Sequence, residues 1–471
     1  MTIDLRPYQS DIIDRVREKI RAGVKRVLIV LPTGGGKTAL MAHMMRTSTS
    51  RGYRSFFCVH RRELVKQSVL TLTDSAGLDV GIVAAGFPSN RHEAAQVCSV
   101  QTLARRHKLL LSPHLLAMDE AHHSAAKSWA DLIALYPNAV LIGLTATPER
   151  LDGAGLGQWF DDMVIGPSVR ELIDGGYLCD YRLFAPKGVD LTGVHTVAGD
   201  YNKRELNDLM SKSAVVGDCI THYKKHCGGA RAIVFAWSIE ASEQIARQFN
   251  DAGIKAMHLD GKTDDVTRDH ATDSFRRGET QVLCNVNLIS EGYDVPAAEA
   301  MFDLSPTQSL SMFLQRCGRV LRPAPGKREA LIFDHSGNSA RHGLPDDPRE
   351  WSLAGRAKKA RETDKVPVKQ CPLCFATVSA AVTLCRHCGY KFEVQSREIE
   401  QVDGELSEID VERQRRDRKQ EQAQAGTVED LIRIGTLRGY KNPAKWASHV
   451  FGARQAKQAA RDAETWARGN A

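Results

Sequence analysis

The sequence predicts an α/β protein of two consecutive domains with doubly wound parallel sheets, followed by a small cysteine-rich module and a C-terminal helical segment. Three observations support this prediction. Short apolar runs alternate with helical patterns through the first third of the chain, the same rhythm resumes near Gly228, and four of the eleven cysteines cluster late in the sequence. The length of 471 residues agrees with two or three domains.

The apolar runs are short and continuous, as expected for parallel strands that helices cover on both faces. The first set lies at 27–31, 56–59, 97–100, 115–120 and 140–144. The second set lies at 232–236, 255–259, 281–286, 300–304 and 330–334. We therefore expect a first domain over residues 1–185 and a second over residues 186–340.

The alternation of apolar runs and helical patterns stops after Arg341, which indicates a linker over 341–365 and a cysteine-rich module over 366–395. Residues 396–471 are predicted to form a charged linker and a C-terminal helical region. Within it, the segment 411–424 is nearly free of apolar residues and is either an exposed helix or a flexible tether. Aromatic and aliphatic residues return from Val428 onward, which favours a small helical unit.

Composition limits the class of protein and its location. Hydrophobic residues make up 42% of the chain and charged residues 26%, which excludes a disordered or fibrous protein. Neither a signal-length apolar stretch at the N-terminus nor a run of membrane-spanning length is present in the sequence. We therefore expect a cytoplasmic protein with no membrane partner.

Positive charge is concentrated in one stretch. The net charge is +7, and the segment 356–391 holds eight Lys and Arg residues against Glu362 and Asp364, a local balance of +6. Such density is typical of a segment that contacts phosphate backbones, although a solvated linker with chance charge is the alternative.

A glycine-rich loop indicates a nucleotide site. The sequence LPTGGGKT at 31–38 follows an apolar run and precedes a helical pattern. Backbone N–H groups of such a loop close around phosphates at a helix N-terminus, the lysine neutralises their charge, and the threonine hydroxyl binds Mg²⁺. The candidate residues for binding ATP and its metal ion are Thr33, Gly34, Gly35, Gly36, Lys37 and Thr38.

Two carboxylates end the apolar run at 115–120. Asp119 and Glu120 are predicted to lie at the carboxyl edge of the first sheet, where open α/β folds bind ligands. An aspartate there can hold Mg²⁺, and the neighbouring glutamate can polarise the water that attacks the γ-phosphate. The string DEAH is a weak signal alone and becomes strong downstream of the glycine loop.

Two cysteine pairs predict a metal site. CPLC at 371–374 and CRHC at 385–388 place Cys371, Cys374, Cys385 and Cys388 at the spacing of a structural Zn²⁺ site. His387 lies inside the second pair, but four cysteines already complete a tetrahedral shell. Iron ligation and a redox dithiol are the alternatives.

The motifs, taken together, resemble those of superfamily 2 helicases over roughly residues 3–335. PTGGGKT fits the loop variant of that family, in which Leu31 stands where the general pattern has glycine. The other matching motifs are RPYQ at 6–9, VHRRELVKQ at 59–67, SVQTLARR at 99–106, MDEAHH at 118–123, TATP at 145–148, VFAWSIEAS at 234–242, NVNLISEGYDVP at 285–296 and QRCGRVLRP at 315–323.

This resemblance implies two RecA-like domains that share one ATP site, with DNA, single-stranded or branched, as the partner. It implies adenine recognition by Arg6 and Gln9 and a ribose contact by Asp294. Three residues, Arg61, Gln101 and Thr102, fall in motifs that face the nucleic acid. Gln315 is implied to place the attacking water, and Arg319 and Arg322 to act as arginine fingers.

Within the superfamily, the arrangement is most similar to the bacterial RadD-type DNA-repair ATPases. The segment FDHSGN at 333–338, the four-cysteine module and RGYKNPAKWASHVF at 438–451 carry that similarity. It implies a role in repair or recombination and a contact with single-strand DNA-binding protein. Two other functions stay open: an ATP-switched DNA-remodelling factor that does not unwind DNA, and the motor part of a restriction system.

Overall fold

The computed structural model describes residues 4–122, 127–150, 153–185, 191, 193–197, 200–210, 215–286, 288–289, 298–355, 368–392, 420–438, 440, 442–452 and 454–455. The chain divides into two compact units, Met1–Val394 and Gln395–Ala471. No helix in the described ranges is long and apolar enough to cross a membrane.

The first unit opens with a seven-stranded sheet in which every pair of neighbouring strands is parallel. The order of strands across the sheet is β3-β4-β2-β5-β6-β1-β7. The strands are β1 Arg26–Val30, β2 Ser55–Val59, β3 Val80–Val83, β4 Ala95–Ser99, β5 Leu115–Met118, β6 Val140–Thr145 and β7 Asp162–Ile165. The accompanying helices are α1 Pro7–Arg21, α2 Lys37–Thr49, α3 Arg62–Leu70, α4 Val100–Arg106, α5 Lys127–Leu135 and α6 Val169–Asp174.

A second, six-stranded parallel sheet follows, with the order β12-β13-β11-β14-β15-β8. Its strands are β8 Tyr181–Phe184, β11 Ala232–Phe235, β12 Ala256–Leu259, β13 Val282–Asn285, β14 Ala300–Asp303 and β15 Ala330–Asp334, and a separate hairpin consists of β9 Thr196–Val197 and β10 Asp200–Tyr201. The helices are α7 Lys203–Met210, α8 Val215–His226, α9 Ile239–Asp251, α10 Asp265–Arg277, α11 Leu310–Val320 and α12 Asn338–His342.

These two sheets confirm the predicted fold class of two RecA-like parallel-sheet domains. One strand lies in a different sheet from the one that the predicted domain boundary implies. β8 lies before residue 185, in the segment assigned to the first domain, yet it pairs with β15 at the edge of the second sheet. The reason is tertiary, since a short strand of ordinary composition does not reveal which of two sheets it joins.

Part of the predicted linker packs against the first sheet. Trp351 and Leu353 contact the core cluster that contains Trp159, and the N–H of Gly157 donates to the carbonyl of Leu353 at 2.9 Å. A Cβ atom on Gly155 would lie 2.1 Å from that carbonyl oxygen, so only glycine permits this approach. The chain thus returns from the second sheet to the first.

The cysteine module is a two-stranded antiparallel sheet, β16 Val368–Gln370 with β17 Thr377–Ser379, and two cysteine turns. It lies against the edge of the second sheet. The N–H of Ala185, directly after β8, donates to Oγ1 of Thr377 at 3.1 Å. The module therefore covers part of an edge strand whose backbone groups would otherwise be open.

The second unit is helical where it is described. Helix α13 spans Val428–Leu437, and residues 443–452 are also helical. Thr427 caps α13 reciprocally with Asp430, and Leu431 and Ala447 are fully buried in a small apolar core. This agrees with the prediction of a small helical unit after Val428.

Candidate functional site

The glycine loop connects β1 to α2, the arrangement that the sequence predicts. Gly34 and Gly36 have φ angles of 87° and 83°, a left-handed conformation that favours glycine. Lys37 is the first residue of α2, and its Nζ donates to the carbonyl of Leu31 at 3.4 Å. Thr38 is the second residue of the same helix. The loop therefore presents backbone N–H groups at a helix N-terminus, where phosphate binds readily.

The predicted adenine motif lies against this loop. Nε2 of Gln9 donates to the carbonyls of Gly35 and Gly36 at 3.2 and 3.3 Å, and its Oε1 accepts from the N–H of Arg6. The hydroxyl of Tyr8 donates to the carbonyl of Gly35 at 2.8 Å. The structure thus brings Arg6 and Gln9 to the phosphate loop, and the amide of Gln9 is engaged there by loop carbonyls.

The aromatic side chain of Tyr177 packs against the adenine motif. The guanidinium carbon of Arg6 lies 4.9 Å from the ring centroid of Tyr177, and the rings of Tyr8 and Tyr177 meet edge to face at 5.1 Å. Tyr177 was not identified from the sequence, because it lies far along the chain between the two sheets and belongs to no recognisable motif.

Asp119 and Glu120 directly follow β5 at the carboxyl edge of the first sheet, and both are buried. The pKa of Asp119 is raised to about 6: burial is the largest cause, the charge of Glu120 adds to it, and the ammonium group of Lys37 opposes both effects. This influence of Lys37 reflects its proximity to the carboxylate. The carboxylates and the loop lysine thus share one electrostatic site.

The backbone at Glu120 is strained. Its φ angle is +47°, a region that L-residues other than Asn, Asp and His rarely adopt. Oε2 of Glu120 lies 3.5 Å from Nδ1 of His122, which in turn lies 3.3 Å from Oγ1 of Thr145. Strain of this kind is concentrated at functional sites, where the surrounding structure holds it in place.

Helix α11 brings the predicted arginine-finger motif to the glycine loop. Gln315 and Arg319 are 1% and 5% exposed. A Cβ atom on Gly318 would lie 2.4 Å from Cβ of Thr33, so the helix and the loop are in direct contact. Cγ of Arg322 would lie 3.6 Å from a Cβ atom on Gly34.

Gln315 has an unusual environment. Within the described part of the chain, both amide atoms of its side chain are buried without a hydrogen-bond partner, and so is Oγ1 of Thr33. Buried polar atoms are almost always satisfied, so unpaired ones indicate a missing ligand or water. Their position beside the loop fits a nucleotide phosphate and the water that attacks it.

A hydrogen bond between hydroxyl groups joins the two sheets at this site. Oγ1 of Thr147 donates to Oγ of Ser311 at 2.7 Å, and the carbonyl of Thr147 accepts from the Thr145 hydroxyl at 2.7 Å. Ser311 escaped the sequence analysis. It lies four and eight residues before Gln315 and Arg319, on the same face of α11, and this spacing is the signal that could have identified it.

A buried ion pair, also missed from the sequence, anchors α11 in the second domain. Nη1 of Arg316 donates to Oδ1 of Asp303 at 2.8 Å and to the carbonyl of Ser305 at 2.7 Å. The side chains of the pair are 3% and 0% exposed. Removing one partner of such a pair leaves an uncompensated buried charge, which destabilises strongly.

The residues predicted to contact nucleic acid differ in their exposure and in their contacts. Nη1 of Arg61 donates to the carbonyl of Leu288 at 3.4 Å, a contact with the second domain. Thr102 is buried and bonded to Ser99, which caps α4, whereas Gln101 is exposed. Asp294 lies outside the described residues. Their contacts with DNA stay predictions.

The four predicted metal ligands converge. The sulfur atoms of Cys371 and Cys388 are 3.6 Å apart and those of Cys374 and Cys385 are 3.7 Å apart, and all four lie within 4.8 Å of one another. A tetrahedral Zn²⁺ site with bonds of about 2.3 Å requires sulfur atoms separated by roughly 3.8 Å. The geometry therefore fits a closed structural zinc site.

Comparison with protein families matches two segments of the chain. Residues 2–150 match the model described as type III restriction enzyme, res subunit, and residues 211–324 match the helicase conserved C-terminal domain. The first segment contains the glycine loop and the two carboxylates. The second contains Gln315 and Arg319.

Individual proteins resemble the chain over most of its length. A 51.5 kDa protein of a Lactococcus phage is 34% identical over 82% of this chain and 83% of its own length. The putative ATP-dependent helicase IRC3 of Saccharomyces cerevisiae is 31% identical over 71% of this chain, which spans about half (52%) of that protein. The fold is similar, with a TM-score of 0.59 and 21% identity, to a fragment of a putative HsdR subunit of a type I restriction enzyme from Vibrio vulnificus, covering 72% of this chain and 66% of that one.

Proposed function

The chain belongs to the superfamily 2 helicases, and from this membership we propose that it is a DNA-dependent ATPase of the helicase or translocase type. Lys37 and the loop N–H groups hold the ATP phosphates, while Thr38 and Asp119 hold Mg²⁺. Glu120 activates the attacking water. Arg319 and Arg322 neutralise charge on the transferring phosphoryl group, a contribution of about 10³ to 10⁵ in rate in related systems.

One observation carries the proposal. The unpaired amide of Gln315 and the nearly buried Arg319 lie on a helix that touches the glycine loop of the other domain. Such a composite site is complete only when the two domains approach each other, so hydrolysis is coupled to their relative movement. That coupling is what a motor requires.

The test is ATP turnover with and without single-stranded DNA, duplex, forked DNA and RNA. We expect DNA to stimulate turnover, and Lys37→Ala or Glu120→Gln to reduce it to background while thermal unfolding is unchanged, because each removes a group aimed at the phosphates or the water. Arg319→Ala should lose turnover yet bind ATP. Normal turnover in the Lys37 or Glu120 variant would refute the proposal.

The choice of DNA and the pathway rest on separate support. The family description and the structural neighbour both carry the names of restriction enzymes, which favours DNA over RNA. The similarity to RadD-type proteins supports a role in repair or recombination, with single-strand DNA-binding protein as a partner. Stimulation by RNA that equals stimulation by DNA would contradict this part of the proposal.

A second candidate is the motor of a restriction system, which the match of residues 2–150 favours. This second proposal is a motor that moves along duplex DNA without separating its strands. Displacement of a triplex-forming strand from duplex DNA, without unwinding of forks, would support this candidate. Stimulation restricted to single-stranded or branched DNA would support the repair motor.

A further inference from the structure

The cysteine module exposes apolar side chains that its small core does not use. Leu373, Phe375 and Leu384 are 63%, 54% and 56% exposed. Phe375 follows Cys374 and Leu384 precedes Cys385, and the sulfur atoms of those cysteines are 3.7 Å apart. Phe375 and Leu384 therefore belong to chain segments that meet at the metal site, and Leu373 belongs to the same turn as Phe375.

The backbone of Phe375 shows that its side chain is retained at a cost in stability. Each cysteine pair ends in a turn whose fourth residue after the first cysteine is left-handed: Phe375 with φ +61° and Gly389 with φ +74°. The N–H of each donates to the carbonyl of that first cysteine, Cys371 or Cys385. The second turn uses glycine, which adopts this conformation without strain, whereas a phenylalanine in this conformation is strained. A strained, exposed aromatic residue indicates function rather than folding.

Lys391 supplies positive charge near these side chains. Residues 368–392 contain three Lys and Arg residues and no Asp or Glu; of these, Arg386 is paired with Asp346 and Lys369 donates to the carbonyl of Val382. Lys391 is exposed and pairs through its backbone with Leu384 in an antiparallel bridge. Residues directly opposite in such a bridge point to the same face, so the Lys391 side chain extends from the same face as Leu384.

The module is also fixed to the motor. Arg386, inside the second cysteine pair, donates to Asp346 at 2.8 Å, and the hydroxyl of Tyr181 donates to the same carboxylate. The guanidinium carbon of Arg386 lies 4.7 Å from the ring centroid of Tyr181, a residue of β8. A ligand held by the module therefore moves with the second sheet.

We propose that Leu373, Phe375, Leu384 and Lys391 form a binding surface for single-stranded DNA, in which Phe375 stacks on a base and Lys391 contacts phosphate. Aromatic stacking beside positive charge is how proteins hold single strands without sequence preference, and duplex DNA offers no exposed base face. This inference rests on the proposed DNA motor. It adds a second contact with the strand, outside the motor's own groove.

The test uses Phe375→Gly in the full chain. Glycine removes the ring and relieves the backbone strain, so zinc should be retained at least as firmly while affinity for a fluorescent oligothymidylate of about 20 nucleotides falls roughly tenfold. Anisotropy without ATP gives the affinity, and release of zinc to a colorimetric chelator gives module integrity. Affinity for duplex of equal length should not change, and Phe375→Trp should restore binding to single strands.

The matched control is Val266→Ala, which truncates an apolar side chain that is 80% exposed on α10. It should leave affinity unchanged. Unaltered single-strand binding in Phe375→Gly would overturn the inference and would leave a protein as the partner of this surface. Loss of zinc from that variant would also overturn it. Binding is measured without hydrolysis. If DNA does not stimulate ATP turnover but single-strand binding still depends on Phe375, only the proposed function is refuted.

Discussion

At the scale of single residues, the ionisation of Asp119 should decide whether the proposed Mg²⁺ site can hold its ion. Its pKa is raised to about 6 by burial, with a further contribution from Glu120. A protonated carboxyl is a poor ligand for Mg²⁺, which prefers anionic oxygen. We therefore expect protons and Mg²⁺ to compete for this group just below neutral pH.

We predict that the Mg²⁺ concentration for half-maximal ATP turnover rises as pH falls. The carboxylate is ionised above the pKa, so the dependence should be flat near pH 7.5, and each unit below the pKa should raise the requirement by about tenfold. Turnover measured across Mg²⁺ concentrations from about pH 5.5 to 7.5 checks this. A half-saturating concentration that does not vary with pH would show that Asp119 does not titrate in this range.

At the scale of secondary-structure elements, α11 is held from two sides. The Arg316–Asp303 pair fixes it within the second domain, and the hydrogen bond between Thr147 and Ser311 ties it to the loop after β6 in the first. The second contact is a single neutral hydrogen bond. It can break and form again as the domains move, whereas the buried ion pair stays intact.

We predict that Ser311→Ala lowers the DNA-stimulated turnover by about tenfold, because loss of one buried hydrogen bond misplaces Gln315 and Arg319. Thr147→Val should have a similar effect, and the double variant should be no worse than either alone. Steady-state ATPase assays on the four proteins measure this coupling. Ser274→Ala, which removes a buried hydroxyl bonded to Thr280, serves as the control. Additive effects of the two substitutions would show that the hydrogen bond does not couple them.

The cysteine module is the second element with a testable role. Its buried core consists of Cys371, Val378 and Cys385, too few apolar side chains to fold a segment of this size without a metal ion. Loss of the metal would also release Arg386 from Asp346 and Thr377 from Ala185.

We therefore predict about one zinc ion per chain. Its removal by a chelator should lower the thermal midpoint of the motor by a few degrees and leave DNA-free ATP turnover nearly unchanged. Metal analysis, calorimetry and turnover before and after chelation test this. Arg386→Ala should keep zinc but lose part of the stability. The finding of iron, or of no metal, would refute the assignment.

At the scale of the whole molecule, the net positive charge is small and is concentrated in one segment. The chain has 64 Lys and Arg residues against 57 Asp and Glu, and most of the difference lies at 356–391. A motor of this class grips phosphates rather than bases, so binding should fall with salt and show little sequence preference.

We predict that neutralising Arg356, Lys358, Lys359, Arg361 and Lys365 together reduces the slope of log affinity against log salt by up to about 3.5, since each phosphate contact on single-stranded DNA contributes roughly 0.7. Anisotropy titrations at several salt concentrations measure the slope. Neutralising Arg276 and Arg277, which are paired with Asp273 and Glu279, should leave it unchanged. An equal slope in the five-residue variant would mean that this stretch is a solvated linker.

The sequence by itself determined the fold class, because strands buried on both faces require continuous apolar runs and these recur at regular spacing. The central strands β1, β2, β5 and β11 were predicted for this reason. It also predicted the glycine loop, the Asp119–Glu120 pair and the four cysteines as ligand sites, since each prediction depends on the spacing of residues close in sequence.

Only the tertiary structure decided what distant segments do to one another. The edge strands β3 and β7 escaped prediction because a half-exposed strand needs no continuous apolar run. Most of β8 is buried, and pairing, not composition, assigns it to the second sheet. Nothing local to Ser311, Tyr177 or Asp346 records that they meet Thr147, Arg6 and Arg386. Spacing identifies residues that can bind a ligand, but the packing of one sheet against the other determines which of them share a site.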